Sequence, residues 1–130
     1  MKRLILDESK WRCGEDSNSS KNRRGGKNTA TKLLNSQGRM CCIGQFSLQL
    51  DKTLKKKDIL NLAEANEIRR EIYPLTEKDN FNYYNYDTVL VKQAYEVNDD
   101  KETTIEEKVK IIKELFAEKG YKVVFKRAKK

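Results

Sequence analysis

Few residues in this chain have the types and spacing that chemistry requires, and each group has a plain structural competitor. Three cysteines stand at Cys13, Cys41 and Cys42, and there is no histidine. A zinc site would need a carboxylate beside all three thiols, and no pair of cysteines has CxxC spacing, so neither a metal nor any other cofactor is expected. Adjacent Cys41 and Cys42 make a poor disulfide framework, because bridging neighbours strains the bond. Buried thiols in a reducing cytoplasm fit better. Asp99 and Asp100 offer paired carboxylates for acid/base work or magnesium, yet no third ligand is evident and acidic turns between helices are common. General acid/base catalysis most often employs histidine, and no base accompanies Cys13 or Cys41 as a nucleophile. The expectation is a protein that is not an enzyme.

Binding chemistry has two candidates. Lys21, Arg23, Arg24 and Lys27 flank Gly25 and Gly26 in a stretch, residues 14–31, whose only apolar side chain is Ala30. Arginine forks and close-approaching glycine backbone suit phosphates, although a solvated flexible loop explains the same composition. The stretch lacks the GK[ST] ending of a phosphate-binding P-loop. The second candidate is FNYYNY at residues 81–86, where Tyr83, Tyr84 and Tyr86 could stack on nucleic-acid bases or meet a partner protein. Tucking these rings into the core is the competing use.

The 130 residues fit a single domain. Lys and Arg number 28 against 20 Asp and Glu, a net charge of +8. That charge is segregated. Residues 1–57 carry 14 basic and 5 acidic side chains, net +9; residues 58–119 are net −6; residues 120–130 add +5. If the two ends meet in space, they form one positive face. No run of 18 apolar residues is present, so a soluble, unexported chain with no membrane partner is expected.

The elements that must position these groups follow from periodicity. Residues 39–50, RMCCIGQFSLQL, are the densest apolar segment; Phe46, Leu48 and Leu50 alternate with Ser47 and Gln49 as in a strand, but a helix from about residue 42 to 51 is preferred because β-branched residues are nearly absent. Gly44 inside it points to another backbone packed close by. KRLILD at residues 2–7 reads as a strand, with Trp11 as an anchor on the core rim. Residues 32–35 suggest a brief strand before a turn at 36–38. Residues 58–68 place Ile59, Leu62, Ala63 and Asn66 on one helical face. Asp87 can N-cap a helix running to about Val97 and breaking at Asn98. Thr103 or Thr104 with Glu106 or Glu107 forms a capping box for a helix with Ile105, Val109, Ile112, Leu115 and Phe116 inward, stopped by Gly120. YKVVFKR, from residue 121 on, reads as a last strand. The fold class expected is α+β, a small sheet joining the N- and C-terminal strands, packed by three or more helices.

In that order, MCCIG at residues 40–44, VNDD at 97–100 and IKELFAEKGYKVVF at 112–125 resemble a family of small phage- and prophage-encoded proteins. In that family an MCCLG-like run follows an N-terminal strand with a Trp, and an NDD turn leads into the final helix and strand. The basic stretch and FNYYNY depart from the pattern. The resemblance implies a non-enzymatic binding protein acting in the host cytoplasm, an anti-defence inhibitor, anti-CRISPR-like, that occupies a host protein handling nucleic acid. The alternative is direct DNA or RNA binding through the basic loop and aromatic patch.

Overall fold

The computed structural model describes residues 2–13, 31–78 and 85–128. Strand β1 (Lys2–Asp7) and the last strand, β4 (Tyr121–Lys126), lie side by side in parallel, with Leu4 opposite Val123 and Ile5 opposite Val124. Alternation sends Leu4, Leu6, Tyr121 and Val123 inward and leaves Arg3, Ile5, Lys122 and Lys126 outward. The fold is α+β, and the chain ends meet as the two apolar strand patterns require.

Four helices among the described residues accompany this pair. Helix α1 (Cys42–Leu50) starts at Cys41, whose Sγ accepts the Gly44 N–H at 3.4 Å. A Cβ on Gly44 would fall 1.9 Å from the Leu33 carbonyl oxygen, so the close backbone neighbour expected from this glycine is the 33–34 segment. Helix α4 (Ile105–Ala117) is capped by Thr104, whose hydroxyl accepts the Glu107 N–H at 3.1 Å, and buries Val109, Ile112 and Phe116. Gly120, at φ +86°, turns the chain into β4. Phe46 of α1 and Phe116 of α4 meet edge to face at 4.9 Å between ring centroids.

Several expectations need correction. Residues 58–68 do not form one helix: they divide into a single turn, α2 (Lys56–Ile59), and a 3-10 turn at Ala65–Ile68. Leu60 bridges to Leu34 and Asn61 takes φ +65°, so pairing with another segment overrides the helical pattern. Residues 32–35 supply that bridge rather than a full strand. A short hairpin of β2 (Thr76–Lys78) and β3 (Asn85–Asp87), not anticipated, brackets residues 79–84. Asp87 therefore ends a strand, and Thr88 caps helix α3 (Val89–Asp99). That helix continues through Asn98 and Asp99 instead of breaking before them.

Asn98 explains why. It is fully buried, and its Oδ1 accepts both the Trp11 indole N–H at 2.6 Å and the Cys42 backbone N–H at 3.0 Å, while Nδ2 donates to Arg12 O at 3.1 Å. One side chain thus ties the Trp11–Arg12 segment that follows β1, the start of α1 and the end of α3, and it holds Trp11 wholly inside the core rather than on its rim. Buried Lys108 of α4 donates to Val97 O at 2.6 Å and to Asp100 O, closing the α3 C-terminus. Among the described residues no helix is long and apolar enough to cross a membrane.

Candidate functional site

The outer side of β1 is shaped by two glutamines one helical turn apart on α1. Gln45 Oε1 accepts the Asp7 N–H at 2.7 Å and its Nε2 donates to Asp7 O at 3.2 Å. Gln49 repeats this at Ile5, accepting from N–H at 2.7 Å and donating to C=O at 2.8 Å. Each primary amide stands where the peptide unit of a neighbouring strand would, so α1 closes the strand edge with side chains. The i, i+4 spacing of the glutamines matches the two-residue repeat of outward-facing backbone in β1, because about 6 Å separates both pairs.

Above this closed edge runs a groove of about 580 Å³ between the outer face of the sheet, α1 and α2. Among the described residues Arg3, Lys10, Lys52, Lys56 and Lys126 line it, with Ile5, Met40 and Leu48 between them and Asp7 as its one carboxylate. Burial pushes Asp7 upward, but the Ser9 hydroxyl at 2.7 Å and backbone N–H at 3.0 Å, then Lys126 and Lys10, outweigh it and hold the group below its ordinary value. Asp7 therefore stays ionised and pairs with Lys126 at 3.9 Å. Four cations remain in excess around the groove. Every one of these basic residues comes from the basic ends of the sequence and none from the acidic middle.

A second cleft, sharing Arg3, Gln49 and Lys52 with the first, adds Lys2, Leu50, Tyr73 and Tyr121. Tyr73 also walls a third cleft that holds Tyr86, Val89, Lys92 and Lys119. Residues Tyr73 and Tyr86 are 56% and 45% exposed.

The remaining chemical candidates have structural roles. All three cysteines are buried thiols, and burial first, then Cys41, Cys13 and Asp99, push the Cys42 thiol up, away from reactivity. Asp99 accepts from the Thr31 hydroxyl at 2.6 Å, whereas Asp100 accepts from the Thr103 hydroxyl and the Glu102 N–H in the turn before α4, so the two carboxylates serve separate partners. Among the described residues no three His, Cys, Asp or Glu side chains are grouped so as to hold a metal ion.

Of the binding residues expected from sequence, Lys21, Arg23, Arg24, Lys27, Tyr83 and Tyr84 lie outside the described residues. Tyr86 lies within them, its hydroxyl donating to Glu77 at 3.2 Å. The signal in the sequence for the groove cations is the charge segregation itself, once β1 and β4 are paired; Tyr73 lies in the acidic middle and carries no such signal. Comparison with protein-family models, curated proteins and solved structures finds no match for this chain.

Proposed function

We propose that the protein is a non-enzymatic nucleic-acid-binding protein whose basic groove seats a sugar-phosphate backbone. The observation that carries this reading is the convergence of Arg3, Lys10, Lys52, Lys56 and Lys126 on one groove against a single carboxylate already paired with Lys126. Arg3, Lys52 and Lys56 are exposed and make no ion pair among the described residues, so these charges contribute to no fold-stabilising pair and face outward. Cations in this arrangement attract a polyanion and release its condensed counterions on contact. The groove floor suits the purpose too. Gln45 and Gln49 occupy the outward N–H and C=O groups of Ile5 and Asp7, so this part of the surface offers point charges and apolar patches rather than a strand edge that another protein could extend.

The anti-defence inhibitor reading, with an acidic host protein in the same groove, is supported by the phage-family resemblance alone. Fluorescence anisotropy of a labelled oligonucleotide tests the choice. The expected result is binding that falls at least about tenfold when Arg3, Lys10, Lys52 and Lys56 are all replaced by Ser, with the fold intact by circular dichroism. No oligonucleotide binding, together with a host protein that stays bound in a nuclease-treated pull-down, would overturn the proposal in favour of the inhibitor.

A further inference from the structure

The turn that carries Tyr73 is fixed on every side except at the ring. Ile72, Pro74, Leu75 and Thr76 are buried. The Thr76 hydroxyl accepts the Ile72 N–H at 2.8 Å and donates to Arg70 O at 2.7 Å. The Thr88 hydroxyl donates to Pro74 O at 2.8 Å, and the Leu75 N–H closes the turn onto Ile72 O at 2.6 Å. The backbone of the turn is thereby pinned to the hairpin and to the start of α3, while Tyr73 between its buried neighbours is an exposed residue. A rigid turn presenting an exposed aromatic loses little freedom when a flat ligand lies on it.

Its surroundings say which flat ligand. On one side Tyr73 shares a cleft with Lys2, Arg3 and Lys52, two of which belong to the basic groove. On the other side it shares a cleft with Lys92, Lys119 and the exposed ring of Tyr86, next to Glu77. An aromatic face between two sets of cations is the arrangement in which bases stack while phosphates on either side meet charge. In a duplex the bases already stack on one another and their faces are covered, so such a platform has a use only for an unpaired strand.

We infer that the ligand of the basic groove is single-stranded nucleic acid, and that Tyr73 is the stacking platform for a base where the strand leaves the groove towards Tyr86. This rests on the groove reading above. Binding affinities of a 12-residue oligothymidylate, an abasic sugar-phosphate oligomer of equal length and a 12-base-pair duplex are measured for the wild type, Tyr73→Ala and Tyr73→Phe. Tyr73→Ala weakens oligothymidylate binding roughly 5- to 150-fold, the span of base–aromatic stacking on alanine substitution, and leaves the abasic oligomer unchanged. Tyr73→Phe retains wild-type affinity, since the ring and not the hydroxyl stacks. Equal affinity of wild type and Tyr73→Ala for oligothymidylate, or an equal loss on the abasic oligomer, overturns the stacking inference while leaving the groove standing. Failure of the wild type to bind any of the three overturns both.

Discussion

At Gly44 two effects of opposite sign compete, and magnitude decides between them. Helix propensity alone favours Gly44→Ala by about 1 kcal/mol. A Cβ there would sit 1.9 Å from the Leu33 carbonyl oxygen, which is backbone and cannot swing aside. Overpacking of this kind costs roughly 1–3 kcal/mol, at the upper end when the obstructing atom is backbone, so Gly44→Ala lowers the melting temperature. A variant that melts at or above the wild type would show that the 33–34 segment can move away. Asp87 offers a pH test. Its Oδ1 accepts the Asn66 N–H at 2.9 Å, its Oδ2 is buried with no partner in hydrogen-bond geometry among the described residues, and burial first, then the Glu64 charge, drive its pKa up against the Asn66 bond, Tyr95 and Lys92. A carboxyl raised on folding favours the folded state below its unfolded value of about 3.9, and that contribution is lost as pH rises through the folded value. Asp87→Asn is therefore expected to raise the melting temperature at pH 7, with the advantage shrinking as pH falls towards 4; an advantage independent of pH would contradict this. Gly44 was legible in the sequence because a glycine in a Leu- and Gln-rich helix calls for a close neighbour. The sequence does not separate Asp87 from its neighbour Thr88 as the cap, because both types cap well, and only the hairpin decides which residue precedes the helix.

At the scale of elements, α1 and β1 are joined by amide groups rather than by apolar contact alone. Replacing Gln45 and Gln49 together by Leu would leave the N–H and C=O groups of Ile5 and Asp7 without side-chain partners. The expected loss is roughly 1–3 kcal/mol, with concentration-dependent association through the uncovered edge, read by thermal melting and light scattering. Unchanged melting and a monomeric variant would show that water serves the edge as well. No periodicity argument reveals such a contact, because glutamine on a helix reads only as a polar face. Elements fixed by local signals were legible: the Thr104 cap, the Val109, Ile112 and Phe116 stripe and the Gly120 stop all lie where the sequence puts them. Residues 58–68 were not, since the bridge of Leu60 to Leu34 and the left-handed Asn61 are tertiary choices that a helical pattern does not record.

For the whole molecule, the decisive fact is that parallel pairing of β1 with β4 brings two basic chain ends together and leaves the acidic middle elsewhere. Segregation of charge was plain in the sequence, and so was the pairing; the groove needed both, together with α1 and α2 to bring Lys52 and Lys56 alongside. The four replaced side chains are exposed, so their joint removal should leave the fold in place, each substitution staying within about ±0.5 kcal/mol. The most direct measurement is the affinity for a single-stranded oligonucleotide across a salt series, for the wild type and for the variant with Arg3, Lys10, Lys52 and Lys56 all replaced by Ser. Each phosphate neutralised on a single strand contributes about 0.7 to the slope of log affinity against log salt, so the variant should bind more weakly and with a slope shallower by up to about three. A folded variant with the same affinity and slope as the wild type would contradict the assignment of the groove as the binding site.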